Sequence, residues 1–508
     1  MIPVIDLFAG PGGLGEGFSS LMSVDGQPVF QIILSIEKDQ QAHSTLQLRS
    51  FLRKIIRDDG VLPRSYISFL KNPSPEALQK LTSTYASAWA EAQNEALCAE
   101  LKENDYSLVE MAEAKLRQLD STNSNPWVLI GGPPCQAYSL VGRSRRTHEK
   151  EELEKDPKQT LYKCYLAFIE RLRPTIFVME NVKGLLSAKH KGNGVFERIV
   201  EDMKDAGYEV RSLVVDDPRG PKDFVVESEK YGIPQARHRV ILIGVREGSG
   251  LDIETLKERK GVTLGEVLAG IPKIRSGFSE RNPNWREMKW KPYINKAIHE
   301  LLETQEGLEL EPELSRVLSC HPPKAMAKSA ITDDQCVYYD WYRSRLDPSK
   351  VLANHESRSH LARDLDRYLF CAAFAEHYGI PAKLYDFPKY LLPEHKNARK
   401  AKDGVEIDFP DRFRVQLADR CSTTITSHIH KDGHYYIHPD AEQCRSLTVR
   451  EAARLQTFPD DYFFMGTRTS QFTQVGNAVP PLLARQIAET VAKALSAPAF
   501  KRVFDNDD

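Results

Sequence analysis

The residues best suited to chemistry lie in three short stretches. "GGPPCQAYS", residues 131–139, sets Cys135 between a rigid Pro-Pro corner and a polar loop, at the end of an apolar run. This is the setting of a nucleophile held on a stiff turn, because proline restricts the backbone and covalent catalysis needs a fixed attacking atom. A lone cysteine is otherwise read as a small buried hydrophobe, so its company has to decide. "PTIFVMENV" places Glu180 at the end of another apolar run, and "QARHRV" supplies Arg237 and Arg239 in alternation before "VILIGV". Alternation sends both arginines to one side of a strand. Strands of one parallel sheet converge on the same edge, which would gather a nucleophile, a carboxyl group and two cations.

The elements that must position these groups begin at "PVIDLFAGPGGLGEGF", residues 3–18. An apolar strand runs straight into glycines, and Gly10, Gly12 and Gly15 fit G-x-G-x-x-G, a turn that admits a ligand against the backbone and opens a helix. Alone, the pattern suits a dinucleotide, the methionine part of S-adenosylmethionine, or a turn that binds nothing. "FQIILSIEKD" (30–39) reads as a second strand, with Glu37 at roughly the offset where a carboxylate grips a ribose; its alternative is a solvated strand-end acid. "PWVLIGGPPC", "PTIFVMENV", "GYEVRSLVV" and "RHRVILIGV" continue the strands between helical stretches. The expected fold is α/β, with a mostly parallel sheet.

Residues from about 44 to 125 read as a helical insertion in which Ser74 caps a helix started by Pro75 and Glu76. The expected division is a catalytic domain at 1–245 carrying that insertion, a smaller irregular domain at 246–440, and a return to the first domain at 441–508. In the middle region Trp, Arg, Pro and His become frequent, and the basic run at 396–402 reads as an exposed loop contacting phosphate. His428, His430, His434, His438 and Cys444 fit no closed four-ligand metal pattern, so no metal is expected. A strand-turn-strand around Asp432 and Gly433, with histidines facing DNA or solvent, is expected instead.

With 508 residues the chain has room for two or three domains and a sizeable core. Apolar residues at 41% and charged residues at 28% are ordinary for a globular protein, and no run approaches the roughly 20 apolar residues of a membrane span. The eight cysteines contain no C-x-x-C pair, which suits reduced thiols. Met1, Ile2 and Pro3 lead directly into the first strand without a signal segment, and a cytoplasmic, DNA-associated protein is expected. A net charge of −2 leaves nucleic-acid binding to local patches.

"DLFAGPGGLG", "GGPPCQAYS", "ENV", "QARHR", "RSLTVREAARLQTFP" and "QVGNAVPP" occur in this order. In these motifs the chain resembles the DNA (cytosine-5-) methyltransferases; the likeness does not reach 44–125 or most of 246–420. The resemblance implies a Rossmann-like methyltransferase domain, with 246–440 as target-recognition domain. It makes the glycine turn a site for S-adenosylmethionine, formed by Phe8, Ala9, Gly10, Gly12, Gly13, Glu37, Lys38, Pro134, Asn477 and Val479. Lys38 departs from the family, which usually packs an apolar or aromatic residue on adenine. The acid contacting the adenine amine has no clear match, Asp58 and Asp59 being candidates. Cys135 is implied to add to carbon 6 of cytosine, Glu180 to donate at ring nitrogen 3, and Arg237 and Arg239 to bind the base oxygen and phosphates and steady the thiolate. A duplex substrate requires the cytosine to be flipped out. Arg143, Arg145 and Arg146, in the loop after Cys135, would follow phosphates, and Gln235 would stabilise the flipped state. Double-stranded DNA is the implied partner, with a cognate restriction endonuclease or other defence-system proteins alongside. The rival readings are an RNA (tRNA) cytosine methyltransferase and a DNA-binding relative without catalysis.

Overall fold

The computed structural model describes residues 1–500 except 60, 121, 123, 124, 135–160, 191, 192, 328–335, 347–349, 395–397 and 399–408. The chain opens with β1 (Ile2–Leu7), the glycine turn, α1 (Gly13–Ser19) and β2 (Phe30–Glu37). Helices α2 (Gln40–Asp59), α3 (Arg64–Lys71), α4 (Pro75–Thr84) and α5 (Ala86–Glu95) precede β3 (Ala96–Cys98) and α6 (Ser107–Leu119). Then come β4 (Val128–Gly131), α7 (Leu161–Leu172), β5 (Ile176–Val182), α8 (Val195–Asp205), β6 (Tyr208–Arg211), β7 (Val225–Glu227), β8 (Gln235–Ala236) and β9 (His238–Arg246).

Among the described residues these strands form a sheet ordered β3-β2-β1-β4-β5-β9-β6, with β7 also paired to β9. The pairs from β3 through β5 are parallel, and β9 runs antiparallel to its neighbours. Val4, Ile5, Val128, Leu129, Ile130, Ile176, Phe177 and Val178 are fully buried, as expected of central strands covered on both faces. Switching β9 to the antiparallel sense brings the start of that strand to the edge where β1, β2, β4 and β5 end, and this carries Arg239 to Glu180.

The 44–125 segment is less separate than its composition suggests. Short β3 extends the sheet beside β2, and Val109, Ala112 and Leu116 of α6 enter the main core. Helices α2 to α5 build a separate core, with Leu48, Phe51 and Leu52 of α2 at its centre and Phe463 packed in. Ser74 caps α4, accepting from Ala77 N at 3.1 Å.

The middle region, expected to be irregular, has a helical core: α9 (Trp290–Leu302), α10 (Glu311–Ser319) and α11 (Ala362–Tyr378), the last ending at Gly379 with φ 67°. Residues 435–437 do not fold back on the preceding residues as a hairpin. They pair with 414–416, while Ser427–His430 forms a short helical turn. His434 and His438, expected at the surface, are buried: Tyr368 Oη lies 2.8 Å from His434 Nδ1, and burial pushes His438 down to about 4, so it is neutral inside the protein.

β10 (Ser422–Thr423) pairs with β8, and the chain returns through α12 (Val449–Leu455), α13 (Arg468–Asn477) and α14 (Pro481–Ala494). Thr448 and Glu451 form a capping box on α12, and Glu451 also holds the fully buried Arg445 through two contacts of 2.6 Å. Burial pushes the Glu451 carboxyl up, but Arg445 outweighs it and holds the group below its ordinary value. Helix α14 packs on α1 along a line of small residues: a Cβ on Gly17 would stand 2.4 Å from Ala484 Cβ. No described helix is long and apolar enough to cross a membrane.

Candidate active site

The glycine turn is built by left-handed backbone. Gly10 has φ 57° and Gly12 φ 97°, which glycine adopts freely, and Phe8 has φ 56°, which is strained for a bulky residue. Gly10 N donates to Glu37 Oε2 at 2.8 Å, and Glu37 Oε1 accepts from Asp39 N at 2.7 Å. The strand-end acid of β2 thus faces the turn at the end of β1. A Cβ on Gly12 would meet Leu46 and the Tyr462 hydroxyl at 2.8 and 2.9 Å, and one on Gly13 would meet Val479 O at 2.2 Å. Tyr462 Oη donates to Pro11 O. Val479 is therefore seated against the glycine turn, with Asn477 exposed beside it at the end of α13.

Asp6, at the end of β1, is fully buried, and neither carboxyl oxygen has a hydrogen-bond partner among the described residues. Burial pushes its carboxyl up to about 8.

The second half of the site lies where β4, β5 and β9 meet. Glu180 faces Ile241 and Arg239 faces Val182 across the antiparallel pair, so alternation puts Glu180 and Arg239 on the same face. Arg239 Nε lies 2.8 Å from Glu180 Oε1, with both side chains largely but not wholly buried. Burial pushes the Arg239 guanidinium down from its ordinary value, against the pull of Glu180. The Cys135 corner is fixed from below: Asn181 Nδ2 donates to Pro133 O at 3.3 Å, and a Cβ on Gly132 would stand 3.0 Å from Glu180 Oε2. Glycine at 132 lets this corner lie against the carboxyl group. Pro134 is half-buried at the last described position before 135. Cys135, Arg143, Arg145 and Arg146 lie outside the described residues, as does the 396–402 run apart from Ala398.

Two further candidates lie in the interior. Arg237 is buried, and its Nη1 donates to Ile425 O at 2.9 Å and Gly476 O at 3.1 Å. It stands between β8 and β9, which are separate strands. Burial first, and then neighbouring Arg239, push against its charge. Gln235 is fully buried, donating to Leu455 O at 2.7 Å and Gln456 Oε1 at 2.8 Å and accepting from Ile425 N at 3.1 Å. Its amide is consumed in joining β8 to the returning segment.

Lys38 is exposed and bonded to Glu100 Oε1 at 3.2 Å. Glu100 follows β3 at the sheet edge where Glu37 ends β2, a place that sequence inspection missed because β3 is only three residues long. Asp58 and Asp59 instead end α2.

The fold is that of an α/β methyltransferase. The fold matches a solved E. coli structure, described as that of a DNA modification methyltransferase encoded within a prophage, with TM-score 0.56 at 19% identity, covering 98% of this chain and 100% of that one. Residues 77–493 match the family model of C-5 cytosine-specific DNA methylases, and the chain belongs to that family, the DNA (cytosine-5-) methyltransferases. The type II methyltransferase M.Bpa9945I of Bacillus paralicheniformis is 32% identical over 517 residues, spanning 97% of this chain and 99% of its own. The DNA (cytosine-5-)-methyltransferase M.ApeKI of Aeropyrum pernix is 25% identical over 401 residues, spanning 73% of this chain and 82% of its own.

Proposed function

We propose that the protein methylates carbon 5 of a cytosine flipped out of double-stranded DNA, at defined sequences, through a covalent adduct with Cys135. The observation that carries this is the Glu180–Arg239 pair, at 2.8 Å, set against the backbone of the Gly-Pro-Pro corner that leads into Cys135. Carbon 5 is a poor nucleophile. Addition of the Cys135 thiolate to carbon 6 makes it enamine-like, and the charge gathering on the ring is met at nitrogen 3 by a proton from Glu180. Arg239 orients Glu180 and is near enough to the same face to hold the base oxygen. Once carbon 5 carries the methyl group, water takes its proton, Cys135 is expelled as thiolate by elimination, and nitrogen 3 returns its proton to Glu180. Arg143, Arg145 and Arg146 follow the phosphates; Gln235 and Arg237, both interior, serve to hold the site together.

S-adenosylmethionine supplies an electrophilic methyl group when bound. The chain's residues fit it: the turn is half-buried at Phe8, Ala9 and Gly10, with open space beside Gly10, while Gly12 and Gly13 pack beneath it, and Glu37 stands beside it for ribose hydroxyls. Pro134, Asn477 and Val479 complete the walls. Glu100, not Asp58 or Asp59, takes the adenine amine, with Lys38 as its partner. The 246–440 region reads the DNA sequence, and the full-length match to a type II methyltransferase supports service beside a restriction endonuclease.

Incubation with labelled S-adenosylmethionine and either duplex DNA or tRNA tests the substrate. DNA carrying 5-fluorocytosine tests the adduct, because fluorine cannot leave as the proton does. The wild type should be trapped on this DNA and Cys135→Ala should not; a fully active Cys135→Ala enzyme would rule the mechanism out.

A further inference from the structure

Tyr436 lies in the interior where the 246–440 region, the strand leading to Arg239 and the final motif meet, and it is 5% exposed. Its hydroxyl uses all of its bonding capacity on one short segment. It donates to Thr424 O at 2.9 Å, accepts from Thr426 N at 3.1 Å and lies 2.9 Å from Thr426 Oγ1. The same segment is held from the other side by motif residues: Ile425 N donates to Gln235 Oε1, and Arg237 Nη1 donates to Ile425 O. Thr424 Oγ1 donates to Ala236 O, and Thr426 O accepts from Ile429 N at 3.1 Å. The backbone at 424–426 is thereby pinned on two sides, on one of them by Gln235, Ala236 and Arg237, which stand two to four residues upstream of Arg239.

The pinned segment also touches the end of α13. Gly476 O takes the second bond from Arg237, and a Cβ on Gly476 would stand 2.3 Å from both Thr426 C and Ser427 N. Tyr436 itself belongs to the middle region: its neighbours Tyr435 and Ile437 are bonded through their backbones to Gln416 and Arg414.

We infer that Tyr436 is a positioning residue for methyl transfer: its hydroxyl, acting with Gln235 and Arg237, seats the 424–426 segment so that the recognition region is held in register with the Glu180–Arg239 pair. The inference rests on the cytosine-methylation reading above. Its distinctive consequence is that losing the hydroxyl slows the step on bound DNA while leaving the cofactor side intact, because Gly13, Glu37 and Val479 do not depend on Tyr436. Tyr436→Phe removes only an oxygen, leaving Thr424 O and Thr426 N without this partner.

The test uses the full chain. Sites methylated by the wild type are mapped by sequencing modified plasmid DNA, and a duplex bearing one mapped site is then used for single-turnover methylation, with S-adenosylmethionine affinity measured by calorimetry. Tyr436→Phe should lower the single-turnover rate at saturating duplex by roughly tenfold to a hundredfold, the scale of one or two hydrogen bonds, with cofactor affinity within about twofold of wild type. Thr426→Val, which spares the backbone bonds, should show a smaller loss with the same split, and the double variant should lose less than the two factors multiplied. An unchanged rate, a loss restored by saturating duplex, or a parallel fall in cofactor affinity would each overturn the assignment. A wild type that methylates no DNA would overturn the cytosine-methylation reading itself, and this assignment with it.

Discussion

Gly13→Ala tests whether the glycine turn and the returning segment before α14 are fitted to each other as closely as the structure indicates. The added Cβ would stand 2.2 Å from Val479 O, more than 1 Å short of ordinary contact at 3.4 Å, and 3.2 Å from Val479 C and N. Both partners are backbone, so no side chain can rotate away. Sliding α14 along α1 gains little room, because Ala484 already packs on Gly17, where a Cβ would stand 2.4 Å from the Ala484 Cβ. Overpacking a well-filled site costs about 1–3 kcal/mol, and rigid backbone on both sides argues for about 3. Since Val479 walls the proposed cofactor site, its displacement should also weaken S-adenosylmethionine about tenfold, or about 1.4 kcal/mol. Gly26→Ala is the control: it has φ 78° but no atom within 4 Å of the new Cβ, so it should cost about 1 kcal/mol in backbone strain and nothing in cofactor affinity. Urea unfolding followed by fluorescence, with calorimetric titration of the cofactor, measures both quantities. If the two variants behave alike in both assays, the inferred fit between Gly13 and Val479 is wrong.

Glu180→Gln keeps the shape of the side chain but loses the acidic proton, so turnover should fall about 10²–10⁴-fold in a labelled-methyl assay; unchanged turnover with weaker DNA binding would contradict the proposed role. Asp6 is buried and pushed up from 3.8 to about 8, so the folded protein holds this proton more tightly than the unfolded chain. Its contribution to stability is complete below about pH 4 and is lost as pH rises through about 8. Asp6→Asn should therefore flatten the fall in urea midpoint between pH 5 and 8, and an identical slope in both proteins would refute the assignment. Glu451→Gln leaves the fully buried Arg445 without its anion and should cost about 3–5 kcal/mol by urea unfolding, a cost within experimental error of zero being the contrary result.

The parts legible in sequence are those governed by local pattern. Continuous apolar runs marked β1, β2, β4, β5 and β9, and the acids closing them marked Glu37 and Glu180, because a strand end at a sheet edge needs only a few neighbouring residues to identify it. Ser74 was legible as a cap for the same reason. β3 was not: "ALC" has no length to set it apart from the helices around it, and only pairing with Ser35, Ile36 and Glu37 makes it a strand. The interior bonds of Gln235 and Arg237 were not legible, because their partners, Ile425, Leu455 and Gly476, are remote in sequence. His434 and His438 look like surface residues by composition, yet a neutral imidazole can be buried once Tyr368 or the backbone satisfies it.

The bond from Tyr462 Oη to Pro11 O joins residues 451 positions apart. At roughly 5–20 residues per second, a ribosome needs tens of seconds between making the glycine turn and making the segment that walls it. During that interval the nascent chain already carries Cys135, Glu180 and Arg239 but lacks the Val479 wall. A product stopped before Val479 would therefore lack this wall of the proposed cofactor site however well its sheet had folded.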